Sequence, residues 1–567
     1  MVAAPDNHAP DDAAERRIAE LERQIAVVRQ EAAKQGLRIE KLTEIGLALS
    51  GQRNVDKLFE MVLDEARRLT NADAGTLYIV DDSARKLEFV VLQNDTMKTR
   101  MGGTSGVPIT LPPVPLYKDD GSENHANVSS HVALSGEPVN IEDVYVAQGF
   151  DFTGPRKYDQ ATGYRSRSML VMPMRNHENA IIGVLQLLNA KDPETGAVGA
   201  FSPDITRLVG SLASQAAVAL TTAQLIRDLK RLLDSFIQSI AAAIDAKSPY
   251  TAGHIDRVVK LTMLIAERIN AQQSGPFKDV QFSEDELEEL KLAAWMHDVG
   301  KIVTPEHVVD KSTKLQTIFD RSGLLLARFA LIDKSLQAEL LERLLTQASE
   351  GVGREAMRAL AADFEKQRET LRAERDFILS CNSPGEFMSD EKIARIKEIA
   401  AKTFLLDDAP APYLSEDEVK NLCIRKGSLT DEERKVIENH AVVTTDMLSR
   451  LPFPKRLSRV PVFAGSHHEK LDGTGYPNHL TKEQLPLQAR ILSEADVFEA
   501  LTAKDRPYKQ PMKLSQAIKI LGFMKKDNHV DPDVFDLFVT GGVYLDYART
   551  ELNPEQIDEV PAGPEKK

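Results

Sequence analysis

Apolar positions begin to recur every three or four residues soon after the start of the chain. Ile18, Leu21, Ile25 and Val28 fall at a/d spacing between charges such as Glu22, Arg23 and Arg29, and the pattern resumes at Ile39, Leu42 and Ile45 beyond Gly36. Residues 13–53 are therefore expected to be helical with a short coiled-coil seam that Gly36 interrupts. The seam suits a homodimer or packing on the domain that follows. Residues 1–12, rich in Pro, Asp and Ala, are expected to be disordered.

The pattern then becomes mixed. Residues 55–69 read as an amphipathic helix, and the apolar runs 74–80 and 87–92 flank the polar turn DDSARK as in a hairpin. Runs 168–174 and 180–188 make a second strand pair around RNHEN, and 205–225 a closing helix, so 54–227 is expected to be one α+β domain. Apolar positions continue through Leu229, Leu232, Phe236, Ile240 and Ile244, which predicts a connecting helix over 228–247 able to carry a twist or register change. The remainder reads as an all-α domain over 248–545, followed by a polar Pro/Glu tail over 546–567.

With 567 residues the chain is too long for a single core, which fits this multidomain reading. No apolar run reaches the length of about eighteen residues that a transmembrane helix needs, and the start lacks a basic and then apolar leader. A cytoplasmic protein without a membrane span is expected. Cys381 and Cys423 are too few for a disulfide framework, and a net charge of -15 argues against polymeric nucleic acid as a partner. A small nucleotide remains compatible with that charge.

The candidate chemistry lies in the histidines. The run AAWMHDVGKIV at 293–303 sets His297 beside Asp298 with Lys301 one turn on. An imidazole next to a carboxylate suits a first-row transition metal, and a carboxylate can bridge two ions. His254 shares an apolar helix face with Val258, Leu261 and Ile265, so it points toward the core. His440, the pair His467 and His468, and Asp496 follow in order, making five imidazoles and two carboxylates. Between them DGTGYP, with Gly473, Gly475 and Pro477, reads as a rigid loop that brings backbone close to a ligand.

The segments YTAGHIDRV, HDVGKIVTP, LTDEERKVIENH, HHEKLDGTGYP, LPLQARILSEADVFEAL and DRPYK together resemble the HD-GYP phosphodiesterases. These are a subgroup of the HD metal-dependent phosphohydrolases that hydrolyse the bacterial messenger cyclic di-GMP. The resemblance implies one metal on His254, His297, Asp298 and Asp496, and a second on His440, His467 and His468 with Asp298 as the bridge. It implies phosphate contacts from Lys301, Arg506 and Lys509, and a site lined by Gly475 and Tyr476. Two divalent transition-metal ions are expected, Fe or Mn before Co, Ni or Zn. Such a pair makes hydroxide near neutral pH and neutralises charge on the transition state. Cyclic di-GMP would open to pGpG and on to GMP. A different cyclic dinucleotide, or a receptor role with little turnover, are the alternatives.

Two departures and one interruption stand out against that resemblance. Tyr250 replaces a glutamate that supports a third metal in some members, and Glu499 stands where aspartate is usual. Residues 312–424 separate segments that the family joins almost directly. Their stripes of Leu325, Phe329, Leu336, Leu340 and Leu344, then Leu360, Phe364 and Leu371, predict a helical insertion built as an antiparallel hairpin.

In the earlier domain GTLYIVDD, KYDQATGYRSRSMLVMPMRN and IIGVLQLLNAKD resemble a GAF domain, especially those of cyclic-nucleotide phosphodiesterases. That implies a cyclic nucleotide held near Asp159, Thr162, Tyr164 and Asn189. The Asn-Lys-Phe-Asp-Glu signature of those domains survives only in Asn189, Lys191, Phe201 and a displaced Asp204. A different small ligand or a dimer-forming spacer is the competing reading.

Overall fold

The computed structural model describes residues 11–52, 54–81, 83, 85–247, 253–385, 387–406, 409–504 and 511–560. They form two compact units, Met1–Leu233 and Asp234–Lys567.

The first unit opens with α1 (Asp11–Gly51), which runs unbroken through Gly36. The expected interruption is absent because one glycine costs a helix interior only about 1 kcal/mol, which the long flanking turns absorb. The helix also takes in Asp11 and Asp12, expected to be disordered; residues 1–10 lie outside the described residues. Near its end Ile45 and Leu49 are buried, whereas Ile18, Leu21, Ile25 and Val28 stay exposed. The next helix, α2 (Val55–Thr70), starts where the Asn54 side chain accepts the Lys57 N–H.

One antiparallel sheet follows, made of β1 (Ala72–Asp81), β2 (Lys86–Asn94), β3 (Thr99–Gly102), β4 (Val114–Pro115), β5 (Val139–Ile141), β6 (Met169–Arg175), β7 (Ile181–Lys191) and β8 (Val198–Gly199). Its central order is β3-β2-β1-β7-β6-β5, so the two hairpins meet along β1 and β7. Leu77, Leu170, Met172, Leu185 and Leu187 enter one core with α2 and the start of α5 (Pro203–Lys247). Their neighbours Tyr78, Met169, Val171 and Val184 enter a second core on the other face with residues of α3 (Val128–Ser135) and the segment before α4 (Thr153–Thr162). Covering both faces explains why LYIV and MLVM read as continuous apolar runs instead of alternating.

Among the described residues one helix, α5, is long and apolar enough to cross a membrane by length and composition. Several of its apolar positions, including Val209, Leu212, Ala216 and Leu220, are buried in the first unit's own core. The last turns of α5 bury Ile237, Ala241 and Ile244 in the core of the second unit.

That second core joins α6 (His254–Asn270), α7 (Glu284–Met296), α13 (Asp431–Ser449), α14 (Val460–Gly465), α15 (Leu487–Thr502), α16 (Leu514–Lys526), α17 (Pro532–Thr540) and α18 (Val543–Glu551). The expected polar tail is corrected here. Tyr547 and Ala548 are buried, the Gln556 amide donates to the carbonyls of Thr502 and Met512, and Asp558 accepts from Ser515. Helix α18 turns Tyr547 and Ala548 inward, which the polar composition concealed; residues 561–567 of the expected tail lie outside the described residues.

After α8 (Glu306–Val309) the chain leaves this core and builds another from α9 (Ser322–Ser349), α10 (Arg354–Cys381), α11 (Asp390–Ala400) and α12 (Glu416–Leu422). The long pair α9 and α10 forms the expected hairpin, burying Leu325, Phe329, Ile332, Leu371 and Ile378. The segment is not wholly helical, and the second domain is not strictly all-α. Strands β9 (Thr403–Leu406) and β10 (Ala409–Pro412) pair antiparallel. Pro410 and Pro412 lack an N–H, which keeps this pair two-stranded. Two buried lysines tie the entry of the segment to its exit: Lys311 Nζ donates to Asn421 and Glu433, and Lys314 Nζ to the Ile424 carbonyl at 2.7 Å.

Helix α7 is started by a capping box in which Ser283 Oγ accepts the Glu286 N–H and the Glu286 carboxylate accepts the Ser283 N–H. Ser283→Ala is expected to destabilise the second unit by about 1 kcal/mol. A urea titration following its unfolding should show a lower midpoint with an unchanged slope.

Candidate active site

Helix ends, a turn and two helix interiors deliver the predicted ligands. His254 is the first residue of α6 after Gly253, whose φ of 74° favours glycine; His297 follows α7, and Asp298 opens the 3-10 turn Val299–Val303. His440 lies within α13, His467 and His468 follow α14, and Asp496 lies within α15. The turn and α13 touch backbone to backbone at Gly300. A Cβ there would sit 2.0 Å from the His440 carbonyl oxygen. Thr444 Oγ1 locks the contact, accepting the Gly300 N–H at 3.0 Å and donating to the His297 carbonyl at 3.0 Å.

The structure brings all seven residues together. His254, His297 and Asp298 form one group and His440, His467 and His468 another, with donor atoms in each within 4.8 Å of one another. Asp298 stands between them. Its Oδ2 is 3.6 Å from His254 Nε2 and 3.3 Å from His297 Nε2, while its Oδ1 is 3.4 Å from His440 Nε2 and 3.9 Å from His467 Nε2. Asp496 Oδ1 lies 3.4 Å from His254 Nε2 and 3.9 Å from His297 Nε2.

The far side of each imidazole sets its tautomer. His297 Nδ1 donates to the Ala294 carbonyl at 2.7 Å, His467 Nδ1 to Ala464 at 2.6 Å, and His440 Nδ1 to Ile437. With the proton on Nδ1, each Nε2 turns a lone pair to the centre. His297 Nε2, His440 Nε2, His467 Nε2 and Asp298 Oδ1 are buried without a hydrogen-bond partner. A buried unsatisfied polar atom costs about 1–3 kcal/mol. Convergence of four such acceptors fits a site for cations.

Electrostatics agree with the geometry. Burial lowers the His467 pKa well below the usual imidazole value, with His468 and His297 adding to it, and burial brings His468 down to about 3. Both are neutral near pH 7 and able to ligate. Burial alone would raise Asp298, but the charge of Lys301 and its histidine neighbours hold it well below the ordinary carboxylate range. Lys301 Nζ donates to Asp298 Oδ2 at 2.6 Å.

Tyr476 and Gly475 are placed by the loop between α14 and α15. A Cβ at Gly475 would lie 2.3 Å from the Lys470 nitrogen, so the loop folds back tightly there. The buried Glu469 carboxylate accepts the N–H groups of Asn478 at 2.6 Å and Leu480 at 3.0 Å. As a result the Tyr476 ring lies 4.8 Å from that of His468. Arg506 and Lys509 lie outside the described residues, as does Tyr250.

Some contributors were not singled out from the sequence. Glu499, noted only as a departure, accepts from His254 Nδ1 at 2.5 Å and from Arg257 Nε at 2.7 Å, forming a buried carboxylate behind the imidazole. Its signal was spacing: Glu499 follows Asp496, and Arg257 follows His254, by three residues on the same helix faces. Thr444, four residues after His440, carried the same kind of signal.

In the first unit Asp159, Tyr164 and Asn189 belong to internal networks. Asp159 accepts from Ser166 and Tyr145, Tyr164 Oη donates to Asp73, and Asn189 bonds Tyr164 and the backbone at Arg165 and Arg167. Thr162 Oγ1 donates to the Tyr158 carbonyl of its own helix at 2.7 Å and accepts the Tyr164 N–H at 3.4 Å. These groups brace the segment before β6, and a ligand would have to compete with bonds already made.

A family model for the GAF domain matches residues 54–220, and two models for HD domains match 251–369 and 416–534. A 3'3'-cGAMP-specific phosphodiesterase 3 of Vibrio cholerae is 33% identical over 28% of this chain and 35% of its own length. The cyclic di-GMP phosphodiesterase response regulator RpfG of Xanthomonas campestris is 32% identical over 28% of this chain and 39% of its own. A cyclic di-GMP phosphodiesterase of Thermotoga maritima is 31% identical over 21% and 31%. The chain thus spans between three and four tenths of the length of these curated relatives. Among solved structures, the GAF domain of an Acinetobacter phosphoenolpyruvate-protein phosphotransferase aligns at 14% identity over 34% of this chain and 98% of its own, with a TM-score of 0.25. The chain therefore carries a GAF domain followed by a region matched by HD-domain models, and its relatives there are cyclic dinucleotide phosphodiesterases.

Proposed function

We propose that this chain is a metal-dependent phosphodiesterase that hydrolyses cyclic di-GMP to pGpG and GMP. The observation that carries the reading is Asp298, whose two oxygens face two separate histidine groups with unsatisfied lone pairs. His254, His297 and Asp496 would hold one ion and His440, His467 and His468 the other, with Asp298 shared. Fe or Mn would supply hydroxide near neutral pH and charge neutralisation. Lys301 would hold a nonbridging phosphate oxygen, a task suited to a point charge on a flexible stem. The Gly475 turn and Tyr476 would line the wall on the His468 side. Arg506 and Lys509 would contact the second phosphate.

The relative specific for 3'3'-cGAMP supports a second reading within the same chemistry, with a mixed cyclic dinucleotide as substrate. The GAF domain would regulate turnover by binding a cyclic nucleotide or another small ligand. The two domain types suit a cytoplasmic enzyme. A homodimer is favoured by α5, where Val218, Leu225, Leu229, Leu232 and Phe236 follow a/d spacing at 42–68% exposure.

The purified chain, loaded anaerobically with Fe(II) or Mn(II), is expected to convert cyclic di-GMP to pGpG or GMP, read by chromatography. Asp298→Ala should lower that rate by more than about a hundredfold, beyond the usual effect of losing a group that merely orients a ligand. Exclusive cleavage of cyclic GMP-AMP would select the second reading, and tight nucleotide binding by a loaded but inert protein would select a receptor. The pair Leu229→Glu and Leu232→Glu is expected to turn a dimer into a monomer in light scattering.

A further inference from the structure

The last turn of α5 ends on the site. Lys247, its final residue, directs Nζ at three backbone carbonyls: Lys301 at 2.9 Å, Ile302 at 2.6 Å and Thr304 at 2.6 Å. An ammonium has three N–H donors, and here all three are engaged by the 3-10 turn that begins after Asp298 and carries Lys301. The carbonyls lie toward the negative end of that turn, where a cation is favoured. Two residues earlier, the Asp245 carboxylate accepts the Gly253 N–H at 3.0 Å, one residue before His254. Asp245 and Lys247 line one small recess with Asp298, Lys301 and Glu306. One helical turn therefore grips both chain segments that supply the first ligand group.

We propose that Lys247, assisted by Asp245, is a positioning residue: it holds the turn bearing Asp298 and Lys301 in register with His254, and makes the end of α5 the mechanical input to the site. The Lys247 ammonium is engaged by backbone carbonyls of the turn, so it acts through Lys301 and Asp298. A helix that begins at Pro203 thereby ends on the peptide group of the proposed phosphate-binding lysine. Sliding or rotating its last turn would change the spacing of these groups, and misplacement by about 1 Å can cost a hundredfold in rate.

The inference uses the phosphodiesterase reading for its kinetic readout, and amide exchange provides one that does not. The test compares the full-length parent, Lys247→Met and Lys247→Arg, each loaded with Mn(II). In Lys247→Met, kcat for cyclic di-GMP is expected to fall about tenfold or more while KM stays within about twofold. Exchange at the amides of Lys301 and Thr304, which donate to the Asp298 and Lys301 carbonyls, should rise while the rest of the second unit stays protected. Lys247→Arg, which keeps a multiple donor, should recover most of the rate. Unchanged kcat and unchanged local exchange in Lys247→Met would overturn the proposal. So would a loss accompanied by exchange throughout the unit and not relieved by arginine. If the parent hydrolyses nothing, the phosphodiesterase reading fails, and local exchange with manganese affinity still decides the role of Lys247: both altered in Lys247→Met supports it, neither altered overturns it.

Discussion

A buried carboxylate between two sets of imidazoles is the constraint on which the second unit depends. Asp298 is 3% exposed, and its charge is sustained by Lys301 and by the histidines around it. Such a group tolerates burial only while its partners stay in place, because removing one side of a buried charged arrangement leaves the other uncompensated. The helices are therefore arranged so that the ends of α6, α7 and α14 meet the inner faces of α13 and α15. Gly300 allows α13 to approach, Thr444 fastens the approach, and the Nδ1 bonds to Ala294, Ile437 and Ala464 aim the imidazoles inward. The same local geometry recurs three times: a histidine returns a proton to the carbonyl three residues before it. That repetition makes the orientation of each imidazole a property of its own helical turn.

His254 behaves differently from its partners. It lacks a carbonyl behind it and instead backs onto Glu499, which Arg257 holds. Burial alone would depress this imidazole, yet Asp298, Asp496 and Glu499 raise its pKa well above the ordinary value. Each of these carboxylates contributes to a strongly anionic surround, which is the setting a divalent cation would balance. The Glu499 side chain is long enough to reach both His254 and Arg257 with its two carboxylate oxygens.

Much of this was legible in the chain. Periodicity located the GAF strands and helices, since a buried strand and an amphipathic helix leave different repeats. The ordered histidines and aspartates located the ligand cluster, because each sits on an apolar helix face or beside one. What escaped depended on three dimensions. Lys247 and Asp245 look like ordinary polar residues at a helix end, and only folding reveals which carbonyls and amides they meet. Gly300 has the spacing of any small residue in a turn; its reason is the carbonyl of His440, far away in sequence. The β9–β10 pair was missed because both strands are four residues long and β10 carries two prolines, which gives no alternating pattern. Gly36 misled in the opposite direction, since a residue preference of about 1 kcal/mol is small beside forty residues of helix.

The buried lysines at the base of the α9–α10 excursion give that segment an unusual standing. Because Lys311 and Lys314 bind the outgoing strand of chain to the returning one, the helices around the histidine cluster experience a short connection, whatever lies beyond it. The excursion has its own apolar interior and can loosen or vary as a separate cooperative unit. Lineages could lengthen, trim or redecorate it without renegotiating the ligand geometry, which makes this region a place where evolution acts at little cost to the chemistry.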